Sequence, residues 1–372
     1  MSFVGPKHYG GDGRSSDLVS RRHVLAGAAS LAALAAASGP ARAAGEGLTK
    51  VTVLFPRLAP GSDFSFLWAA KALGYFAQEG LDIVVQPTGG SPEVARLLAA
   101  GQGDVGLPGA EATIIAVAKG LPVKDVFCVQ QRMIYNVGVP EDSSIRTIAD
   151  LKGKRIGVQS LTASPVFVAK ALLKKAGLDP DHDVSFLPIG VGAQAVAAVK
   201  AQQVDAVSFH DTQFLLFKFA GVPFRQFETP DFDRYFTAGI AVNANTVNER
   251  PKMIVGFGRA IAKGLAYSFA NPQASITAMY EVLGKSRNDP AQDLAILQQR
   301  LSFEKPPPEA HGQWGWNTAE RYGEFADFLQ SVGVVNKKVA GADVFDGRFL
   351  DEMNAFDVKA IERSAAQAGS AK

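Results

Sequence analysis

The 372-residue sequence contains a single cysteine, Cys128, and only five histidines. One cysteine cannot form an intrachain disulfide, and neither a Cys-x-x-Cys pair nor a His-Glu-x-x-His motif is present. The usual ligand spacing of a zinc site is therefore missing. Cys128 lies in an apolar run from Val126 to Val129, which is typical of a small core residue. We expect neither a metal nor another cofactor.

The sequence also lacks a strong charge of one sign and, after its first 43 residues, any apolar run of 18 residues. The formal net charge is +2, and removal of residues 1–43 takes away five Lys/Arg and two Asp/Glu, which leaves −1. Net charge therefore gives no support to a nucleic-acid partner. The missing apolar run predicts a mature chain without a membrane-spanning helix.

The N-terminal segment has the pattern of an export signal. Arg21 and Arg22 form a twin-arginine pair, followed by an apolar run from Val24 to Ala37 and a small-residue site that ends at Ala43. The apolar run is too short to span a membrane as a stable helix, and the cleavage site argues against an uncleaved anchor. The sequence predicts a twin-arginine signal peptide over residues 1–43, cleaved after about Ala43 by this criterion. Export by the twin-arginine machinery would place the mature protein in the periplasm.

The stretch from Phe66 to Glu111 alternates helix, strand and glycine-containing loop. A β-branched run from Ile83 to Val85 leads to Gly89–Ser91, where Ser91 is the predicted N-cap of a helix whose first turn holds Pro92. A second short apolar run then leads to Glu111, at the start of the next helix. Repeated units of this kind place several helix N-termini at one edge of a parallel sheet, which is where open α/β sheets bind ligands.

A second α/β unit follows from Arg155 to Phe227, and the sequence after residue 242 is mostly helical. Helices are predicted to begin at Pro251, Pro272 and Pro290 and beside a cap at Thr318. Short strand-like runs near 135–140 and 237–242 indicate two connections between two lobes. We therefore predict an α/β fold of two lobes joined by two crossing strands, with a helical C-terminal portion. Lobe 1 would comprise residues 48–135 and 243–372, and lobe 2 residues 136–242. Such lobes can close on a ligand by a hinge motion.

Several segments carry a family resemblance in the same order over roughly residues 48–357, including LGYFAQEGLDIVVQPTGG, AAGQGDVGLPG, IADLKGKRIGVQS and AVKAQQVDAVSF. They resemble the substrate-binding proteins of ABC transporters that include nitrate, sulfonate and taurine binders and the thiamine-pyrimidine-precursor binders. The resemblance implies the type II periplasmic-binding-protein fold and capture of a small solute between the lobes. It also implies delivery to an ABC permease with its ATPase subunit. We expect a monomer, and the missing G-x-x-x-x-G-K-[ST] motif excludes the ATPase itself.

Backbone and hydroxyl groups at helix starts are the first candidate ligand contacts. Gly89, Gly90 and Ser91 form a loop in lobe 1 where a ligand can approach backbone N–H groups. Ser160 and Thr162 precede a helix in lobe 2, and the alternative is that a neighbouring serine, Ser164, only caps that helix. Gly192 lies in a G-x-G-x-x-A pattern, but its mid-chain position disfavours a dinucleotide site. We expect Gly192 to make a backbone contact with the solute.

Three acidic residues, Asp63, Glu111 and Asp211, follow predicted strands or loops at the cleft. Carboxylates that face a closing cleft repel a sulfonate, at a cost of several kcal/mol. Two inward-facing acids would therefore favour an amine or an aminopyrimidine. The alternative is that Glu111 and Asp211 only stabilise helix dipoles. Arg57 and Arg132 favour an anionic ligand instead, because either can bind an anion. The alternative is that both are solvated.

Among the aromatic residues, Phe64 and Tyr135 lie in loose segments and are the better candidates to stack on a ligand. Phe66 and Trp68 fall inside a helical pattern and are predicted core residues. The leading hypothesis is a periplasmic solute-binding component without catalytic residues. His210 is a further candidate ligand contact. One alternative is an exported enzyme related to thiamine-pyrimidine synthesis that uses His210 and Asp211 as an acid–base pair. The related fungal enzyme uses a cysteine cluster that is absent here, and a sensor or scaffold module is the third hypothesis.

Overall fold

The computed structural model describes residues 47–57, 60–232, 234–284 and 289–368. The predicted signal peptide, residues 1–43, lies outside the described residues. In the part of the chain that is described, no helix combines the length and the apolar character needed to cross a membrane. The same residues contain no group of three or more His, Cys, Asp or Glu arranged to hold a metal ion.

Ten strands form two five-stranded sheets within the described residues. The strands are β1 (Thr49–Phe55), β2 (Leu81–Pro87), β3 (Val105–Gly106), β4 (Val123–Cys128), β5 (Tyr135–Pro140), β6 (Arg155–Val158), β7 (Ser185–Pro188), β8 (Ala206–His210), β9 (Phe224–Gln226) and β10 (Gly239–Asn243). The sheet of the first lobe has the order β2-β1-β3-β10-β4, and that of the second lobe has the order β7-β6-β8-β5-β9. In each sheet the first three strands are parallel and the fourth is antiparallel to both neighbours.

The antiparallel strand of each sheet is the one that arrives from the other lobe. The chain leaves the first lobe after β4, enters the second sheet as β5, and returns to the first sheet as β10. Ile240 pairs with Phe127 of β4, and Ala241 pairs with Gly106 of β3. The predicted end of lobe 2 at residue 242 is therefore several residues too late. The strand-like run at residues 237–242 contains no sequence signal that indicates which of the two sheets it joins.

The helices of the described residues cover the sheets and form most of the chain after β10. They are α1 (Ser65–Ala72), α2 (Tyr75–Gln78), α3 (Ser91–Ala99), α4 (Ala110–Ala118), α5 (Ser164–Lys175), α6 (Ala193–Lys200), α7 (Asp211–Phe219), α8 (Thr246–Glu249), α9 (Pro251–Ala270), α10 (Pro272–Leu283), α11 (Pro290–Glu304), α12 (Ala319–Ser331), α13 (Gly341–Val344), α14 (Leu350–Met353) and α15 (Val358–Ala368). Three of the long C-terminal helices begin at proline, as the sequence predicts. The hydroxyl of Thr318 accepts the N–H of Arg321 and caps α12. The predicted helical C-terminal portion is confirmed.

The core of the first lobe is formed where α1 packs between the first sheet and the long helices α9 and α10. Phe66 is fully buried there, and Trp68 donates its indole N–H to the carbonyl of Pro60. Both residues are core residues, as predicted. Burial of such a side chain stabilises the fold by roughly 1.5–3 kcal/mol. Cys128 is also buried and unpaired, which agrees with its predicted place in the core.

Candidate functional site

A cavity lies between the two lobes, where the carboxyl ends of β1, β3, β6 and β8 face one another. Its volume, counted as the space open to the centre of a water molecule, is about 60 Å³. The first lobe contributes Phe55, Arg57, Asp63 and Phe64 to its wall, and α11 contributes Arg300. Aromatic rings and charged groups therefore share one side of the cavity.

The opposite side of the cavity is uncharged. It is lined by Tyr135, Gln159, Ser164 and His210 of the second lobe and by Gln130, which lies in the first crossing segment, residues 129–134. Phe55 and Phe64 meet edge to face with ring centroids 4.8 Å apart on the other wall. The cavity thus combines flat apolar walls with a few convergent polar groups, which is the usual composition of a small-molecule site.

A second and larger concavity lies on the outer surface, between the end of α5 and the end of α12. Its volume on the same measure is about 600 Å³, and it is lined by residues that include Lys174, Arg234, Ser331 and Gly333. All four of these residues are exposed. The inter-lobe cavity, by contrast, holds buried polar groups without a partner in the part of the chain that the structure describes, and we therefore take it as the candidate site.

The two lobes touch each other at the rim of this cavity. The hydroxyl of Ser164 donates to that of Ser91 at 2.9 Å, and Ser91 also accepts the N–H of Gly109 at 3.0 Å. Neither serine caps its helix, so the predicted cap at Ser91 is wrong and the alternative of a cap at Ser164 does not apply. Gly90 has a φ of +153°, and a Cβ added there would lie 3.5 Å from the carbonyl of Thr162. These contacts describe lobes that have closed on each other.

Charged side chains at one end of the cavity form a cluster that spans both lobes. Arg57 pairs with Asp63, and Arg300 pairs with Asp211 at 2.6 Å and with Asp63 at 3.5 Å. Arg300 also donates to the hydroxyl of Thr212 at 3.4 Å. Its side chain is only 2% exposed. Two cations therefore face two carboxylates at the candidate site, and α11 is tied to α7 of the second lobe.

The two carboxyl groups of this cluster have opposite pKa shifts. Burial raises the pKa of Asp63, but Arg57 and then Arg300 outweigh it and bring the value down to about 2. Burial dominates at Asp211, where the attraction of Arg300 only limits the rise and the pKa reaches about 6. Asp63 is therefore the firmly ionised partner of both arginines near neutral pH.

His210 is held in one orientation by its own helix. Its Nδ1 lies 2.8 Å from the hydroxyl of Thr212 and accepts the backbone N–H of Gln213 at 3.3 Å, which caps α7. Burial, with Arg57 and Arg300 nearby, lowers the pKa of His210 to about 3. A neutral ring that accepts at Nδ1 carries its proton on Nε2. That nitrogen is buried and has no partner within the described residues.

Of the three acids predicted to face the cleft, only Asp63 lines the cavity. Asp211 and Glu111 lie behind it, in the first turns of α7 and α4, as the dipole alternative predicts. Glu111 is fully buried, and its carboxyl group packs against Gly109. Burial raises its pKa to about 7, a rise that the Ser164 hydroxyl limits. The prediction of several inward-facing acids is therefore wrong.

Six of the predicted ligand contacts line the cavity, namely Asp63, Phe64, Gly90, Ser91, Tyr135 and His210. The structure does not place the other glycine and hydroxyl candidates there. Gly89 is exposed and donates to Glu93, while Ser160 and Thr162 lie 3.4 Å from each other at the rim. The N–H of Gly192 donates to Gln213 at 2.7 Å and is therefore already used inside the second lobe.

The sequence analysis missed several lining residues, above all Gln130, Gln159 and Arg300. Both amide atoms of Gln130 are buried without a hydrogen-bond partner in the described structure. A polar residue within two positions of the end of the apolar strand β4 is a signal that can identify it. Arg300 has no such signal, since it lies in an amphipathic helix far along the chain. Arg132 is exposed and stacks over Phe303 at 4.9 Å, outside the cavity.

Residues 62–275 match the family model described as NMT1/THI5 like. This match covers more than half of the chain, so the chain belongs to that family. The riboflavin-binding protein RibY of Chloroflexus aurantiacus is 23% identical over 321 residues, which cover 86% of this chain and 91% of that protein. The formylaminopyrimidine-binding protein of Halalkalibacterium halodurans is 26% identical over 291 residues, 77% of this chain and 86% of its own.

Solved structures show the fold. The alkanesulfonate-binding protein SsuA of Xanthomonas axonopodis pv. citri, bound to MOPS, superposes with a TM-score of 0.63 at 21% identity, over 81% of this chain and 99% of that chain. The predicted periplasmic-binding-protein fold is confirmed. Matching relatives also include a protein named 4-amino-5-hydroxymethyl-2-methylpyrimidine phosphate synthase, so proteins similar to this chain are named as enzymes as well as binding proteins.

Proposed function

We propose that this chain is the solute-binding component of an ABC importer, which captures a small organic solute between its lobes. The observation that carries the proposal is a cavity walled by both lobes in which buried polar groups have no partner among the described residues. A buried polar group without a partner is costly, by about 1–3 kcal/mol, and a bound solute removes that cost. Lobes that meet through Ser91 and Ser164 provide the enclosure.

The partners and the location of the protein follow from this role. A captured solute needs a permease and an ATPase subunit to cross the membrane, and the family relatives named as riboflavin-binding and formylaminopyrimidine-binding proteins support a binding role. The twin-arginine pair Arg21-Arg22 and the site at Ala43 support export to the periplasm with the signal removed.

An enzyme of the pyrimidine-synthesis type is the second candidate, because relatives carry that name. It would need His210 and Asp211 to work as an acid–base pair. The Nδ1 of His210 instead contacts Thr212, and Asp211 pairs with Arg300. A general base must reach the proton that it abstracts. The accepting nitrogen of His210, Nδ1, is already occupied by Thr212 and Gln213, and Asp211 does not line the cavity. Binding is therefore the better-supported role.

A thermal-shift screen of the purified mature chain tests the proposal. The probes are formylaminopyrimidine, riboflavin, benzoate, taurine and nitrate. We expect at least one of them to raise the melting temperature in proportion to the logarithm of its concentration, and to be recovered unchanged by mass spectrometry. Formation of a product on turnover would contradict the binding role. A chain that no probe stabilises would contradict capture of these solute classes.

A further inference from the structure

The arginines of the cavity are already neutralised by carboxylates of the protein. Arg57 pairs with Asp63, and Arg300 pairs with Asp211 and Asp63. An anionic solute would have to compete with these internal partners, and it would bring a further negative charge close to the ionised Asp63. Like charges in a closed cleft repel each other strongly because the local dielectric is low. We therefore expect the charged side of the cavity to bind a simple anion weakly.

His210 presents a fixed hydrogen-bond donor to the cavity. Thr212 and the N–H of Gln213 occupy its Nδ1, so the proton lies on Nε2, which is buried and has no partner among the residues described. The Thr212 hydroxyl in turn accepts from Arg300, which leaves its own proton for His210. A donor held in this way requires an acceptor atom on the solute.

Gln130 presents a donor and an acceptor side by side. Its side chain is 1% exposed, lines the cavity, and makes no hydrogen bond through either amide atom in the described residues. An amide pairs best with a group that carries an acceptor and a donor on neighbouring atoms, such as a carboxamide or the N=C–NH₂ edge of an amino-substituted nitrogen ring.

The size of the cavity limits the solute further. One water needs roughly 10–15 Å³ of this kind of volume, so about 60 Å³ holds about five waters. At roughly 30 Å³ of liquid per water, the solute has about the bulk of one substituted ring. The flat walls of Phe55, Phe64 and Tyr135 suit a planar molecule of that size.

We propose that Gln130 and His210 determine specificity for a small, planar, uncharged solute with an adjacent donor–acceptor edge and a further acceptor. Gln130 pairs with that edge from the crossing segment, and His210 donates to the acceptor from the second lobe. The solute thus joins the two halves of the site. This inference rests on the proposed binding function and deepens it by naming the solute class.

Titration calorimetry at pH 8 with four single-ring probes tests the inference. Nicotinamide and 4-aminopyrimidine carry the uncharged edge, whereas nicotinate and benzenesulfonate are anions of similar size. We expect the two uncharged probes to bind more tightly than the anions. Gln130→Met should weaken the uncharged probes by roughly 5- to 100-fold, because it leaves their polar edge unpaired. Gln203→Met, the same substitution at an exposed position outside the cavity wall, is the matched control and should bind as the wild type does.

The Gln130→Met protein also reports on its own folding. Because this change removes a buried amide without partners, its melting temperature without ligand should equal or exceed that of the wild type while the ligand-induced rise shrinks. Gln130→Glu is a second variant, which keeps the shape of the side chain but removes the amide donor. Preferential binding of the anions, or uncharged binding that survives Gln130→Met, would overturn the inference while leaving solute binding intact. If none of the four probes binds, the inference is also overturned, and the wider panel then decides the proposed function.

Discussion

The two lobes have the same strand order but supply different chemistry to the cavity between them. Three parallel strands, an antiparallel crossing strand and an edge strand recur in both sheets. The first lobe contributes the ion pair of Arg57 and Asp63, while the second contributes the neutral donors and acceptors of His210 and Ser164. The difference lies in the loops after the strands. A repeated scaffold therefore fixes where the site is, and the loop residues fix what it recognises.

Arg300 does not follow this division into a charged first lobe and a neutral second lobe. It belongs to α11, yet it pairs with Asp211 of the second lobe more closely than with Asp63 of the first. A buried cation between two carboxylates of different lobes couples the position of α11 to closure. The predictions below separate the two lobes by removing this link, then by changing one carboxylate at a time, and then by removing the contact at the rim.

The largest effect is expected from Arg300→Met. Loss of this cation leaves Asp211 buried without its partner, and removal of one member of a buried pair typically destabilises a protein by about 3–5 kcal/mol. Urea denaturation at pH 7 measures the change. Arg348→Met is the control, because Arg348 pairs with Asp346 on the surface and its loss should have little effect. Equal and small losses in both variants would show that Arg300 does not link the lobes.

A smaller effect is expected in the pH dependence of stability, which should differ between Asp63 and Asp211. The folded pKa of Asp211 is raised to about 6, so the stability that this group provides is full below its unfolded pKa and is lost as the pH rises through 6. Asp63, with a pKa of about 2, provides stability above its unfolded pKa that is lost only as the pH falls through 2. Between pH 4 and pH 7 the two carboxylates therefore behave differently.

Urea denaturation of Asp211→Asn and Asp63→Asn at pH 4, 5.5 and 7 measures this difference. Asp211→Asn should gain up to about 3 kcal/mol relative to the wild type between pH 4 and pH 7, since each pKa unit corresponds to about 1.4 kcal/mol. Asp63→Asn is the matched control, and its difference from the wild type should stay constant over the same range. Parallel curves for both variants would contradict the opposite pKa shifts.

The smallest effect is expected at the rim, where Ser164 of the second lobe donates to Ser91 of the first. A single hydrogen bond of this kind contributes about 1 kcal/mol. A double-mutant cycle with Ser91→Ala and Ser164→Ala should show a coupling of that order in ligand affinity. Additive single variants would mean that this contact does not support the closed arrangement.

Local patterns predicted the architecture well. Proline at the start of α9, α10 and α11 and the hydroxyl of Thr318 marked the helix boundaries, because caps act within one turn. Repeated strand–loop–helix units marked the two lobes and the edge where the cavity lies. Six of the predicted ligand contacts line the cavity because they lie near that edge.

The site itself depends on contacts between residues far apart in the sequence. Arg300 and Asp63 are 237 positions apart, and Ser91 and Ser164 are 73 apart. No local pattern states that these pairs will meet. Local patterns therefore predicted a cap at Ser91, allowed one at Ser164, and did not identify Arg300. It also placed Glu111 in the cleft, since a residue at a helix start can face the ligand or the protein with the same sequence pattern.

Titration of the mature chain with formylaminopyrimidine, followed by recovery of the compound, tests the central claim most directly. The account predicts one binding site per chain, an affinity that falls roughly 5- to 100-fold in Gln130→Met, and a compound that is recovered unchanged. Equal affinity in the wild type and Gln130→Met, or conversion of the compound to a product, would contradict it.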